Sequence, residues 1–237
     1  MERKGRTPWP PELSGQLREV DRLRRTGRHE RALALVRQLA EAHPTQVRVL
    51  LEMGLTLGIW GRAPAEALPW FDRILELAPG HLTTRLHRAL TLARLGRHTE
   101  AVAEFDVVES MGHRRQPILY VKRAESLRAL DRHAEAERDW TKALAEDPGN
   151  PWLLHQRAQA RALLGRLTEA VQDLSDALAA EQQESVDPEL LRDRGVLRAR
   201  LGDLAGARAD FEAGLSCFRE GDPPELLDSL RHLRQTL

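Results

Sequence analysis

The side chains that could act as nucleophiles, proton donors or metal ligands show no recognisable catalytic spacing. The sequence holds no GxxxxGK[ST] phosphate-binding loop, no HExxH metal-binding helix and no GxSxG nucleophile turn. Acidic residues are plentiful, but they stand at the spacing of exposed helix faces, whereas general acid–base catalysis needs sheltered carboxylates. We therefore predict no catalytic residues; an enzymatic function would need a pocket that the residues do not indicate.

Three histidines recur in similar surroundings, because His29, His98 and His133 each follow an arginine. They are either a row of metal ligands or rings that each pack at the start of a helix. Neighbouring helices lie about 10 Å apart, whereas metal–ligand bonds are about 2 Å long, which favours packing. The one cysteine, Cys217, has apolar neighbours and no identifiable base, so we expect a buried structural thiol. No metal and no cofactor are predicted.

The composition is that of a folded protein without a charge excess. Of the 237 residues 41% are hydrophobic, and 36 basic residues balance 36 acidic ones. Nucleic-acid binders usually show a basic face, and pairs such as Arg132/Glu135 indicate a solvated helix surface instead, so no nucleic-acid partner is expected. Residues 1–50 hold 11 basic and 6 acidic side chains, and residues 117–187 hold 9 and 13, which could orient a charged partner.

No stretch reaches the apolar length that spans a bilayer, and no apolar run follows the first charges as in a secretory signal. We expect a cytoplasmic protein without membrane insertion. Residues 1–12 are rich in proline around Trp9, which predicts an extended tail that is either disordered or docked.

A repeated pattern organises most of the chain. The segments LGRHTEAVAEF, LDRHAEAERDW, LGRLTEAVQDL and LGDLAGARADF begin at Leu95, Leu130, Leu164 and Leu201. In each, a turn residue is followed five positions later by alanine and nine positions later by a large apolar residue. Two earlier copies use Gly27 and Gly61 as the turn residue, and the second has one extra residue before its alanine. The turn residues are 34, 35, 35, 34 and 37 positions apart, which is typical of stacked helix–turn–helix units.

Each recurring residue type has a structural reason. Glycine at the turn can take positive φ, and Asp131, which replaces it once, tolerates that conformation. The alanine lets two helices approach closely, and the bulky residue fills the space between units. Residues that can cap the start of a second helix are Thr99, Thr168 and Asp203. Prolines that should stop second helices are Pro44, Pro79 and Pro148.

This pattern resembles the tetratricopeptide repeat (TPR) family over residues 13–221. The resemblance implies an all-α fold, a right-handed α-solenoid of antiparallel helix hairpins. We predict six repeats, at 13–46, 47–81, 82–116, 117–150, 151–187 and 188–221. The family's small residue in the first helix appears as Gly54, Ala89, Ala124, Ala158 and Gly195. The third repeat ends SMGHRRQ and the fifth EQQESVD, without the terminal proline, which predicts irregular junctions.

Residues 222–237 carry leucines on one helical face. We expect them to form a helix that caps the apolar end of the stack. The alternative is an exposed helix that meets a second copy of the chain as a homodimer.

The resemblance also implies a binding surface, because in this family the first helices line a concave groove that takes an extended peptide or a partner helix. The corresponding groove residues here are Arg48, Leu51, Leu55, Leu86, Leu90, Val121, Glu125, Arg128, Trp152, His155, Gln159 and Arg192. This groove should be apolar through repeats two to four and more polar beyond. Two alternatives stay open: the leucines pack on their own second helices, and Trp152 packs between repeats.

Some family members grip a peptide carboxylate at positions that hold Leu17, Asp21 and Glu52 here, so that clamp is absent from the first two repeats. We therefore expect a non-enzymatic scaffold or adaptor that binds an apolar or amphipathic segment of another protein. The alternative is a structural protein that self-assembles through the capping helix or the groove.

Overall fold

The computed structural model describes residues 11–60, 63–112, 117–181, 186–219 and 221–236. Within these ranges the protein is all-α, with thirteen α-helices and no strand. Twelve of the helices form six successive pairs: α1 (Pro11–Arg25) with α2 (His29–Ala42), α3 (Val47–Leu55) with α4 (Pro64–Leu77), α5 (Leu82–Arg94) with α6 (His98–Ser110), α7 (Pro117–Ala129) with α8 (His133–Glu146), α9 (Pro151–Leu163) with α10 (Leu167–Ala180), and α11 (Pro188–Arg200) with α12 (Leu204–Cys217). The last helix is α13 (Pro224–Thr236).

The helices belong to two compact units. The N-terminal unit, Met1–Arg114, contains α1 to α6, and the C-terminal unit, Arg115–Leu237, contains α7 to α13. Within each unit, the second helix of a hairpin packs on the first helix of the next hairpin. The boundary falls in the first of the two junctions that the sequence predicts to be irregular. Helix α1 begins at Pro11, two residues before the predicted first repeat, and the rest of the predicted tail lies outside the described residues.

The turns follow the sequence pattern closely. Gly27, Gly96, Gly165 and Gly202 have φ between 73° and 87°, and Asp131 has φ of 57°. This left-handed conformation is accessible to glycine and tolerated by aspartate, so the prediction for the turn residues is confirmed. Gly61 lies outside the described residues. Helices α2, α4 and α8 each end two residues before a proline, as predicted.

The predicted helix caps are only partly right. Asp203 caps α12, because its carboxylate accepts a hydrogen bond from the Gly206 N–H at 2.9 Å. Helices α6 and α10 instead start at His98 and Leu167. The arginine at each N-cap position makes no capping hydrogen bond with its side chain, and Thr99 and Thr168 lie inside the first turn. Their predicted capping role is wrong. The arginine before each helix forms an ion pair with a glutamate three residues later, at 2.6 Å for Arg97–Glu100.

The core is built from the predicted small and bulky residues. The alanine of every repeat is fully buried, and so are the large side chains that follow it, at Phe71, Phe105, Trp140, Leu174 and Phe211. A Cβ added at Gly54 or Gly195 would stand 2.4 Å from a phenylalanine ring. Close approach of the two helices of a hairpin therefore requires glycine at both positions.

The extra residue of the second repeat is absorbed by a π-helical turn, Thr56–Trp60, at the end of α3. A π-helical turn holds one more residue than an α-helical turn, so the hairpin keeps its packing. The buried Thr56 hydroxyl donates to the Glu52 carbonyl oxygen at 2.7 Å, and the Arg94 guanidinium donates to the Gly58 carbonyl oxygen. Gly58 lies close to Ala67, where an added Cβ would be 3.3 Å from the alanine methyl.

Helix α13 covers the last hairpin. Leu226 and Leu230 are buried and share a core cluster with Ala207 and Phe211 of α12. Leu237, the last leucine of the predicted face, lies outside the described residues. The apolar face of α13 is therefore packed against the last hairpin, and its role as a cap stays a prediction.

An arginine of the first helix binds a carboxylate of the second helix in four hairpins. The partners are 16 residues apart: Arg88–Glu104, Arg123–Asp139, Arg157–Asp173 and Arg194–Asp210. In the last three pairs the guanidinium donates from both Nε and Nη2, and for Arg123 the distances are 2.6 and 2.8 Å. Arg161 and Arg198 add a second guanidinium to Asp173 and Asp210. We call these pairs the hairpin clamps.

Candidate partner-binding site

The leucines predicted to line the groove in the N-terminal unit are buried or half-buried. Leu51 and Leu86 are each only 7% exposed, and Leu51 belongs to a core cluster with Phe71 of α4. Leu55 and Leu90 are half-buried. Burial against the hairpin's own second helix was the alternative left open by the sequence. Little apolar surface of these four leucines is therefore open to solvent.

A charged cleft of 470 Å³ lies between α1 and α3 in this unit. It contains four arginines and two carboxylates: Arg18, Arg24, Arg25 and Arg48 with Asp21 and Glu52. Glu52 lies 2.8 Å from both Arg24 and Arg48, and Asp21 lies 2.7 Å from Arg25. Both carboxylates are therefore neutralised inside the cleft, and the arginines leave it with a net positive charge.

The C-terminal unit holds an apolar pocket of 120 Å³ between α9 and α11. Its apolar lining consists of Ala158, Ala162, Leu174, Val196 and Leu197. The pocket exists because two small alanines of α9 face the larger side chains of α10 and α11. His155, Gln159 and Asp193 complete the lining with polar groups.

The polar side of this pocket is an ordered hydrogen-bond network. The His155 Nε2 atom lies 2.8 Å from Asp193 Oδ2 and 3.0 Å from Gln159 Nε2. Arg192 donates to Asp193 Oδ1 from Nε at 2.9 Å and from Nη2 at 2.6 Å. Burial acts to raise the pKa of the Asp193 carboxyl, but the hydrogen bond from His155 and the charge of Arg192 outweigh it and hold that pKa below its usual range. Asp193 is therefore ionised at neutral pH.

Trp152 lies on the same face of α9 as His155 and Gln159, since the three are spaced by three and four residues. Its side chain is 47% exposed, and its ring meets the buried Trp140 edge-on at 5.4 Å between ring centroids. This contact holds the exposed indole in place. Trp152 thus packs between repeats and also presents a large aromatic surface to solvent.

The remaining predicted residues of this unit flank the pocket helices. On α7, Val121 and Glu125 are half-buried, Arg128 is exposed, and Glu125 pairs with Lys122 at 2.9 Å. We define the first-helix face of the C-terminal unit as the surface formed by Val121, Glu125, Arg128, Trp152, His155, Gln159 and Arg192. Sequence reasoning missed Asp193 and the apolar floor of the pocket, because they come from three helices that are distant in sequence.

The pocket lining includes no serine, threonine or cysteine that His155 could activate as a nucleophile. Among the described residues, no three histidine, cysteine or acidic side chains are placed to share a metal ion. Over the same parts of the chain, no helix has the length and apolar character needed to cross a membrane.

Comparison with known proteins bears on the fold and the family. A family model described as Tetratricopeptide repeat matches residues 17–82, 61–117 and 155–223, which together exceed half of the chain. The U-box domain-containing protein 70 of Oryza sativa subsp. japonica is 31% identical over 153 residues, covering 60% of this chain; the match spans only 17% of that relative's length.

Solved structures share the fold at low sequence identity. YrrB, described as a TPR protein with an unusual peptide-binding site, has a TM-score of 0.72 at 14% identity and covers 84% of this chain and 97% of its own. PilW, described as a type IV pilus biogenesis factor, has a TM-score of 0.71 at 16% identity and covers 94% and 99%. At these identities the similarity shows the fold alone.

Proposed function

The chain belongs to the tetratricopeptide repeat family, and we propose that it is a non-enzymatic scaffold or adaptor that holds a segment of another protein on the first-helix face of the C-terminal unit. The observation that carries this proposal is the apolar pocket between α9 and α11, with the half-exposed Trp152 one turn away. The cytoplasmic location stays a prediction from the sequence.

Three features support binding of a protein segment. Tryptophan contributes strongly to protein–protein interfaces because it buries a large apolar area at low entropic cost. The pocket beside it offers apolar walls with a few placed hydrogen-bonding groups, which is the usual composition of a recognition site. YrrB, which shares the fold, is described as having a peptide-binding site, although a shared fold is only an analogy for function.

In the N-terminal unit, only part of the predicted groove is available to a partner. Arg48 is exposed, and Leu55 and Leu90 are half-buried. We propose that these three side chains form a separate binding surface on the N-terminal unit, with Leu51 and Leu86 supporting it from the core. The positive cleft between α1 and α3 would favour an acidic stretch in a segment bound to this unit.

Self-assembly is the second candidate function, and a different surface favours it. Leu163, Leu164, Leu201 and Leu204 lie at the hairpin turns of the C-terminal unit and are between 38% and 62% exposed. Exposed leucines grouped along a repeat stack are a feature of interaction surfaces. Under this candidate a second copy of the chain would cover the turn leucines, since the apolar face of α13 is already engaged within its own unit.

An affinity capture with matched variants separates the two candidates. Wild type, Trp152→Ala and Leu204→Ala carry the same tag, and the two substituted side chains are about equally exposed. Removing an interface tryptophan typically costs about 2 kcal/mol, or roughly 30-fold in affinity. We expect Trp152→Ala to lose the partner and Leu204→Ala to retain it. Retention by Trp152→Ala would reject the adaptor surface; concentration-dependent dimers in light scattering, abolished by Leu204→Ala, would support self-assembly instead.

A further inference from the structure

The Gln159 carboxamide at the pocket mouth is not fully hydrogen-bonded by the described residues. The His155 Nε2 atom has both an Asp193 oxygen and the Gln159 amide nitrogen within 3.0 Å. A ring nitrogen that donates its one hydrogen to a carboxylate has no lone pair left to accept from an amide. Because Asp193 faces the ring as a carboxylate, His155 must donate to it. No other described residue hydrogen-bonds the Gln159 carboxamide, so its capacity is open to a ligand.

The size of the pocket limits what can enter. Its volume is 120 Å³, equivalent to about four waters at about 30 Å³ each. Leucine, isoleucine and methionine side chains each contain four heavy atoms, whereas phenylalanine, tyrosine and tryptophan side chains contain at least seven. A charged side chain would lose its hydration against the alanine, valine and leucine walls, and Asp193 is already held by His155 and Arg192.

The polar group beside the pocket limits the conformation of the ligand. Gln159 can pair with a backbone peptide group next to the inserted side chain only if that group is free. In an α-helix, interior peptide groups are bonded within the helix. An extended segment leaves its peptide groups available to Gln159.

We propose that the pocket between α9 and α11 binds one leucine, isoleucine or methionine side chain of an extended partner segment, and that the Gln159 carboxamide hydrogen-bonds the peptide group beside it. This inference rests on the proposed function and specifies its ligand. Neighbouring residues of α9 have different roles in it: Ala158 and Ala162 leave space for the side chain, and Gln159 hydrogen-bonds the partner's backbone.

The test uses N-acetyl-L-leucine N-methylamide, which carries one side chain and its two peptide groups. The full chain is labelled at leucine and valine methyls and titrated with the probe by NMR. We expect shifts at Leu174, Val196 and Leu197 with a dissociation constant on the order of 1 mM, as suits a ligand of this size. The alanine analogue should bind at least about tenfold more weakly, because it leaves the pocket unfilled, and the phenylalanine analogue should not enter.

Two variants test the contributions of the apolar cavity and of the Gln159 hydrogen bond separately. Ala162→Leu fills the cavity from its half-buried wall and should abolish the shifts. Gln159→Leu removes the hydrogen bond and should weaken binding by about two- to tenfold, whereas Gln156→Leu on the same helix should leave the affinity unchanged. Circular dichroism shows whether each variant is folded. Gln159→Leu changes a half-buried side chain without adding bulk to the cavity, so it still tests the proposal if Ala162→Leu does not fold.

Equal binding of the leucine and alanine probes, or unchanged binding by folded Ala162→Leu, would overturn the inference. The proposed function has its own readout, the loss of partner capture in Trp152→Ala. If that loss occurs while the leucine probe fails to bind, the scaffold function stands and the pocket assignment is wrong.

Discussion

Replacing Asp139 by alanine should destabilise the chain strongly, because Arg123 would lose its bidentate partner inside a hairpin. The two side chains are 6% and 4% exposed, and their two hydrogen bonds measure 2.6 and 2.8 Å. Removing one partner of a buried ion pair typically costs about 3–5 kcal/mol, because the remaining charge stays desolvated. We expect Asp139→Ala to lose stability in that range.

Removing both charges should be much less harmful. In Arg123→Leu/Asp139→Leu, apolar groups replace both partners, and such double replacements often lie within about 1–2 kcal/mol of the parent. The exposed pair Arg132–Glu135 in the same hairpin is the control, since both side chains are 42% exposed. Exposed pairs contribute about 0–1 kcal/mol, so Glu135→Ala should be nearly neutral.

Urea unfolding of the full chain, followed by circular dichroism, measures these differences. With a slope of about 2 kcal/mol per molar urea, Asp139→Ala should lower the midpoint by about 1.5–2.5 M and Glu135→Ala by less than about 0.5 M. A double variant as unstable as Asp139→Ala, or equal losses for the buried and exposed pairs, would refute the reasoning about the hairpin clamps.

Three further predictions concern single side chains, each measured by the same unfolding assay. Gly195→Ala should cost about 1–3 kcal/mol, because its Cβ would meet a phenylalanine ring at 2.4 Å, whereas Gly221→Ala meets nothing within 4 Å and should be tolerated; equal effects would contradict the packing argument. Asp203→Ala should cost about 1 kcal/mol as a lost cap, and Thr99→Ala should cost less because α6 already starts at the residue before it; a larger loss for Thr99→Ala would contradict the cap assignment. Burial lowers the pKa of the His87 imidazole, although a nearby glutamate opposes the shift. As pH falls below about 6.5, His87 is therefore protonated in the unfolded chain before it is protonated in the folded chain. The free energy of unfolding of wild type should fall between that pH and the pKa of His87 in the folded chain, and the free energy of unfolding of His87→Leu should fall less. Parallel pH profiles for the two proteins would rule this out.

The repeat pattern predicts the hairpins because each of its residues acts within its own turn or helix pair. Glycine at positive φ, the buried alanine and the bulky residue are local requirements, and in the part of the chain that the structure describes they appear where expected. The prediction of threonine caps was wrong because α6 and α10 begin one residue before Thr99 and Thr168, after an arginine that makes no side-chain capping bond. The π-helical turn was visible only as one extra residue, since nothing in Thr56–Trp60 specifies how the chain accommodates it.

The hairpin clamps are present in the sequence as an arginine and an acidic residue 16 positions apart. Charge pairs at spacings of three and four, such as Arg132/Glu135, connect residues on one helix. A spacing of 16 crosses the turn and becomes meaningful only once the hairpin geometry is known. Its recurrence at Arg123, Arg157 and Arg194 is a signal that a repeat alignment can recover.

The binding face was less predictable than the fold. The resemblance placed Trp152, His155 and Gln159 on one face, but the degree of burial depends on neighbouring helices. Leu51 and Leu86 turned inward for that reason. The pocket itself results from the small size of Ala158 and Ala162 opposite residues of α10 and α11, a relationship between helices that single-helix patterns do not show.

Site-specific photo-crosslinking tests the central claim most directly, because it reports which face the partner touches. Benzoylphenylalanine replaces either Arg128, on the first-helix face of the C-terminal unit, or Arg208, on α12; both positions are exposed. The scaffold function predicts a cross-link from position 128 to a discrete segment of another protein and none from position 208. Cross-links to the partner from position 208 alone would contradict it.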